Sequence, residues 1–253
     1  MVLDLFKLHG KTAIVTGAGR GLGQSMALGL AEAGADLVLV GRSDGIDDTR
    51  KKAEALGRKA ISVRADLSKL DAIPHVMQKT LEAFGKVDIL VNNAGIVRRA
   101  PVLEFTEKDW DDVVDLNLKS CFFMAQAAAR DMVKRRKGKI INVSSITFFW
   151  GATRIPAYAA SKGGVSQFTK SLCNELAKYG INVNAIAPGY MATDINKDLR
   201  SDAEKSAELL SRIPAGRYGD PDELKGLTVY LASEASNYMN GTTVVMDGGW
   251  MAR

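Results

Sequence analysis

Short apolar runs alternate with amphipathic stretches from one end of the chain to the other. The first run, over 11–17, sets Ala13, Ile14 and Val15 side by side, which predicts a strand buried on both faces. A helix is predicted over 21–34, closed by Gly34 at a position where glycine commonly ends helices. The pattern then predicts strands over 36–40, 60–65, 87–91, 139–144, 181–187 and 243–246. Between them it predicts helices over 46–56, 70–84, 107–134, 158–178 and 222–232. Apolar strands of this kind lie between two helical layers, and strand–helix alternation predicts an α/β, doubly wound parallel sheet of the Rossmann type. No linker or internal repeat divides the sequence, so one domain over 1–253 is expected. Residues 190–217 are the least regular part, rich in Lys, Asp and Glu, and read as a lid over a site.

Composition narrows the class without changing the picture. Hydrophobic residues make up 46% and charged residues 25%, which excludes disordered, collagen-like and disulfide-scaffold chains. A net charge of +5 tolerates anionic ligands but does not call for nucleic acid. The basic run Lys134, Arg135, Arg136 and Lys137 falls at a helix end, where cations complement the dipole. Two cysteines, Cys121 and Cys173, and two histidines, His9 and His75, offer no metal-ligand spacing, so no metal is expected. No apolar run approaches the roughly 20 residues that span a bilayer. Residues 1–11 lack the basic-then-apolar order of a signal peptide. The expectation is a cytoplasmic protein with neither membrane nor nucleic-acid partners.

The chemistry sits where strands end. Thr16-Gly17-Ala18-Gly19-Arg20-Gly21-Leu22-Gly23 follows the first strand and opens a helix, with TGxxxGxG spacing. Glycines let a backbone turn tightly and approach a pyrophosphate, and a helix N-terminus offers N–H groups to it. After the second strand comes Arg42, where an NAD site usually has an acidic residue. Arg42 and Arg20 could grip a 2′-phosphate through planar forks, which favours NADP(H) and leaves NAD(H) open. Tyr158 and Lys162, four apart on a helix, share a face. An ammonium beside a phenol favours phenolate, which makes an acid–base pair. Ser145 ends the fifth strand, at the edge where open α/β sheets bind ligands. Asn92-Asn93-Ala94-Gly95 follows the fourth strand, and Asn117 occupies a helix interior that asparagine does not favour.

Together the TGAGRGLG, NNAG, Asn117, Ser145, YAASK and Pro188-Gly189 elements resemble the short-chain dehydrogenase/reductase family over the whole chain. Each motif is weak, and the set in this order is specific. The resemblance implies that Tyr158 is the general acid/base and that Lys162 lowers its pKa and binds the nicotinamide ribose. It implies that Ser145 polarises the substrate oxygen and Asn117 supports a proton-relay water. Cofactor contacts are implied for Gly17, Gly19, Arg20, Gly21, Leu22, Gly23, Asp66, Leu67, Asn93, Ala94 and Gly95 on the adenosine and pyrophosphate side. Pro188, Gly189 and Thr193 would hold the nicotinamide half.

Within the family, GIVRRAPVLEFTEKDWDDV (95–113), APGYMATD (187–194), IPAGRYG (213–219) and DGGWMAR (247–253) are similar to a subgroup that acts on 2-deoxy-D-gluconate or 2-dehydro-3-deoxy-D-gluconate. That resemblance implies hydride transfer between a nicotinamide and a secondary hydroxyl or keto group of a sugar acid. Subgroup members are usually NAD-linked, and Arg20 and Arg42 depart from that. A sugar acid needs a cationic clamp. Arg98 and Arg99 follow the fourth strand, and Arg154 lies between Ser145 and Tyr158. Arg154 is preferred for its tether between two reacting residues, with Trp150 nearby as a sugar platform. The same catalytic set would serve a 3-oxoacyl reductase, and a catalytically dead nucleotide sensor is the alternative of another class. The family resemblance also implies a homotetramer paired through 107–134 and 158–178.

Overall fold

The computed structural model describes residues 1–252, apart from the side chain of Ile195; Arg253 lies outside the described residues. The strands are β1 (Thr12–Thr16), β2 (Asp36–Gly41), β3 (Ala60–Arg64), β4 (Ile89–Asn92), β5 (Gly138–Val143), β6 (Ile181–Pro188) and β7 (Thr243–Met246). They lie in the order β3-β2-β1-β4-β5-β6-β7, and every neighbouring pair is parallel. The chain works outward from β1 to β3, then crosses back to place β4 on the other side of β1, with Val15 opposite Val91. This reversal opens a crevice beyond the carboxyl ends of β1 and β4, where sheets of this kind bind ligands.

The helices are α1 (Gly21–Glu32), α2 (Gly45–Ala55), α3 (Ala72–Phe84), α4 (Glu107–Val114), α5 (Ser120–Arg135), α6 (Pro156–Leu176), α7 (Lys197–Ser201), α8 (Ala203–Ser211) and α9 (Leu224–Ala232). Successive strand residues point to opposite faces. Ala13 and Val15 therefore join Met26, Leu30, Ile46 and Leu224 in a core under α1, α2 and α9. Ile14 joins Val76, Met124, Met132 and Leu172 in a second core under α3, α5 and α6. Among the described residues no helix is long and apolar enough to cross a membrane.

Two segments differ from the pattern. The helix expected over 107–134 is interrupted by a π-helical turn, Asp115–Lys119, between α4 and α5. Within this turn the Asn117 side chain bonds the Ile96 backbone, and π-helical turns of this kind recur at functional sites. Residues 190–217 are also more regular than expected, holding a 3-10 turn Asp194–Asn196, α7 and α8. Asp202 caps α8 by accepting from the Lys205 amide. Leu209 and Leu210 pack on a small separate cluster of Ile146, Ile213 and Trp250.

Candidate active site

The glycine loop is held from behind. Gly17 has φ +65°, and a Cβ there would meet the Ala94 Cα at 2.9 Å. A Cβ on Gly23 would strike the Gly17 carbonyl and the Asn93 amide. These two glycines are therefore required by the packing of the loop on itself and on the β4 end. Asn93 donates to the Thr16 and Gly17 carbonyls at 3.0 and 3.2 Å, so its side chain is a strut under the loop. Thr16 Oγ1 accepts from the Asn93 and Ala94 amides at 2.9 and 3.0 Å, fixing the two strand ends together. Leu22 and Leu67 face the apolar cores.

At the β2 end, Arg42 stands mostly exposed with Asp66 at 3.9 Å. Burial works to raise the Asp66 carboxyl, but hydrogen bonds from Ser68 and the Arg42 charge outweigh it and hold the carboxyl below its ordinary value. Arg20 instead pairs with Asp194 at 2.9 Å, joining the glycine loop to the start of the 190–217 segment. Thr193, on the same segment, sits over Gly21, its methyl 3.5 Å from where a Cβ would be. Pro188 and Gly189 end β6 beside β7, with the Gly189 amide bonded to the Met246 carbonyl.

The candidate reacting groups converge just past the end of β5 and at the start of α6. Ser145 is buried, and its hydroxyl caps the following turn by accepting from the Thr147 amide at 3.2 Å. Burial pushes the Tyr158 phenol up, while a hydrogen bond from Ser145 and the Arg99 charge pull it down. Lys162 is buried, its Nζ donating to the Val143 carbonyl at 2.7 Å and lying 5.6 Å from the Tyr158 ring centre. Burial brings its pKa down to about 8. On balance the phenol stands above its ordinary value, so the lowering expected from Lys162 is not met; the partial offsets come from Ser145 and Arg99, while the ammonium faces the ring and a carbonyl. Asn117 is fully buried; its amide bonds Ile96 in both directions at 2.8 and 2.9 Å and reaches Ser161 at 3.3 Å. Ser161 in turn donates to the Tyr158 carbonyl at 2.7 Å, so Asn117 ties the β4 loop to the turn of α6 that bears Tyr158. Gly95 lies against Asn117, its Cβ position 3.1 Å from Oδ1.

The two loop arginines separate. Arg154 is exposed, with φ +67°, and its carbonyl accepts from the Ala100 amide at 3.1 Å. Its charge is not among those acting on Tyr158, whereas that of Arg99 acts on both Tyr158 and Tyr190. Arg98 is engaged with Asp112 at 3.1 Å on α4.

A family model described as short chain dehydrogenase matches residues 11–204. The chain belongs to the short-chain dehydrogenase family. It is 54% identical over 254 residues to the 2-dehydro-3-deoxy-D-gluconate 5-dehydrogenase of Escherichia coli strain K12, an alignment covering 100% of both chains. It is 46% identical to the protein of the same name from Bacillus subtilis strain 168, across 99% of this chain and 98% of that one. A crystal structure of a gluconate 5-dehydrogenase from Burkholderia cenocepacia J2315, in complex with NADP and tartrate, superposes with a TM-score of 0.96 at 41% identity, covering 100% of each chain.

Around Trp150 the structure gathers Tyr190, Arg212 and Trp250, to which the motifs assign no role. Trp150 stacks on Trp250 with ring centres 6.0 Å apart, Tyr190 packs on Trp250 at 4.9 Å, and the Arg212 guanidinium lies 4.6 Å over Trp250. The Arg212 charge also reaches Tyr190. These four residues come from three distant parts of the chain and share no local spacing. Only the aromatic character of the 247–253 tail could have drawn attention to Trp250.

Proposed function

We propose that this protein is an NADP(H)-dependent oxidoreductase that moves a hydride between nicotinamide and a secondary hydroxyl or keto carbon of a sugar acid of the 2-dehydro-3-deoxy-D-gluconate type. The convergence of Ser145, Tyr158 and Lys162, with the Arg99 charge acting on Tyr158, carries this reading. The names of the similar enzymes support the substrate, and the NADP in the Burkholderia structure supports the cofactor.

The residues fit a dinucleotide. α1 begins without a side-chain cap at Arg20, so its first-turn N–H groups suit a pyrophosphate. Arg42, bound to Asp66 only at 3.9 Å, suits the 2′-phosphate, which Arg20 would join on leaving Asp194; Asp66 suits the adenine side. Gly17, Gly19, Gly21 and Ala94 form the walls, and Pro188, Gly189 and Thr193 the nicotinamide end. When bound, the nicotinamide supplies or accepts the hydride. Ser145 holds the substrate oxygen, and Tyr158 gives it a proton in reduction and takes one back in oxidation. Preorganised donors aimed at the developing oxyanion are the main contribution of such a site. Arg99 receives the substrate carboxylate, Trp150 offers an apolar face to the sugar chain, and 190–217 closes over both as a lid on a single domain.

The reading extends to a cytoplasmic homotetramer. Cys121 and Cys173 are unpaired, as in reducing compartments. Trp110 and Phe123 expose apolar surface on α4 and α5, beside α6, where subunits would pair.

The test is steady-state turnover of sugar acids, keto sugar acids and a 3-oxoacyl thioester, each with both cofactors. The highest kcat/KM is expected for a keto sugar acid with NADPH. Preference for the thioester would replace the substrate, and nucleotide binding without any turnover would make the protein a sensor.

A further inference from the structure

A second cleft, of about 610 Å³, opens at the opposite edge of the sheet. Its floor is made by the amino ends of β4, β5 and β6, at Ile89, Gly138 and Ile181. Lys7, Lys11, Lys137 and Lys139 line it, against two carboxylates, Asp88 and Glu234. Asp88 is already satisfied. It accepts from the Thr12 amide at 2.9 Å and pairs with Lys86 at 3.0 Å and Arg135 at 2.9 Å. Lys7 is held by Asp4.

That leaves three ammoniums around Glu234, with the charge of the already paired Asp88 also reaching Lys11 and Lys137. Glu234 pairs with Lys137 at 2.5 Å and with Lys11 at 4.0 Å. Lys139 is only 8% exposed and donates to two neutral acceptors, Ser236 Oγ at 3.3 Å and Asn237 Oδ1 at 2.9 Å. Among the described residues it makes no ion pair. A buried charge with no counter-ion in direct contact and like charges held together are both unfavourable. Burial brings Lys139 down to about 8 against the pull of Glu234, and burial with the Lys137 charge lowers Lys11, while Glu234 holds Lys137 up. A small anion seated among the three would remove both penalties.

We propose that this cleft is a second, non-catalytic binding site for a small phosphate-class dianion, either inorganic phosphate or the phosphate of a phosphomonoester, held by Lys11, Lys137 and Lys139. The site is separate from the reaction edge. Lys139 and Ser145 lie at opposite ends of β5, about 20 Å apart at the rise of an extended strand. The proposal does not rest on the assigned substrate.

The test is isothermal titration of the full chain with inorganic phosphate, and separately with glycerol 3-phosphate, at matched ionic strength and without cofactor. Both Lys137→Gln and Lys11→Gln are expected to weaken binding roughly tenfold or more, the loss of one charge-assisted hydrogen bond. Arg42→Ala, at the other edge, should leave this binding in place. Lys139→Met should abolish it, and the two exposed-side variants keep the test open if that protein does not fold. Tighter binding of glycerol 3-phosphate would identify an organic ligand, and tighter binding of inorganic phosphate the free ion. Absence of binding at millimolar concentration, or binding lost in Arg42→Ala and kept in both glutamine variants, would overturn the proposal.

Discussion

The Lys162 ammonium lies 5.6 Å from the centre of the Tyr158 ring and gives its hydrogen bond to the Val143 carbonyl. The lysine is therefore anchored to β5 and meets the tyrosine through its π face, while Ser145 bonds the phenol itself. Proton transfer and anchoring fall to different atoms of the pair, and they can be tested apart.

Tyr158→Phe removes the proton carrier and keeps the ring over Lys162. Turnover is expected to fall by roughly 10²–10⁴-fold, the usual worth of general acid–base catalysis. NADPH affinity, followed by fluorescence titration, should change little. Activity within about tenfold of the unaltered enzyme would refute the assignment.

The pH profile should respond to Arg99. Oxidation needs Tyr158 as phenolate, and the Arg99 charge lowers the pKa of that phenol. Removing the charge raises the pKa, so Arg99→Met should move the rising limb of kcat/KM for oxidation to higher pH. Arg154→Met should leave it where it is. A limb unmoved by Arg99→Met would mean that its charge does not reach the phenol.

The same two arginines should differ in substrate binding. Arg99→Ala is expected to raise KM for a keto sugar acid about tenfold to a hundredfold, with little effect on an uncharged analogue of equal length. Arg154 is exposed and its backbone serves the Ala100 amide, so Arg154→Ala should change KM by less than about threefold. Equal losses on charged and neutral substrates would show a structural role for either residue.

Arg42→Asp should shift preference from NADPH toward NADH. It removes a phosphate partner and adds an acceptor for ribose hydroxyls, for a loss of about 1.5–3 kcal/mol in NADPH binding. Should the unaltered enzyme already prefer NADH, Arg42 has no part in the choice.

Gly23→Ala tests the loop without touching the chemistry. The added methyl would strike the Gly17 carbonyl and the Asn93 amide. A loss of about 1–3 kcal/mol in stability is expected, read from the urea midpoint, together with weaker dinucleotide binding. An unchanged midpoint would show that the loop adjusts.

Local pattern was enough for the sheet, because strands such as β1, β4 and β5 are buried along their whole length and most strands are followed by a helix. The proposed catalytic residues stood out for a related reason: Ser145 lies just past the end of β5, and Tyr158 and Lys162 share a helical face. Contacts made at a distance were not legible. Nothing in the spacing of Arg99 and Arg154 tells which charge reaches Tyr158. Nor does any local signal bring Tyr190, Arg212 and Trp250 together. α7 and α8 escaped notice because their polar residues outnumber the few, such as Leu209 and Leu210, that turn inward.

The π-helical turn at Asp115–Lys119 has a consequence for how such enzymes could be silenced. It winds one more residue into its turn than an α-helix does, and each residue advances an α-helix by about 100°. Deleting one residue there would let α4 run straight into α5 with every strand in place, shifting only Leu116 in the core under α3, α5 and α6. Asn117 would then swing off the Ile96 backbone, and the β4 loop would lose its tie to the Tyr158 turn. A chain one residue shorter could keep Ser145, Tyr158 and Lys162, pass any inspection of its motifs, and still be inert.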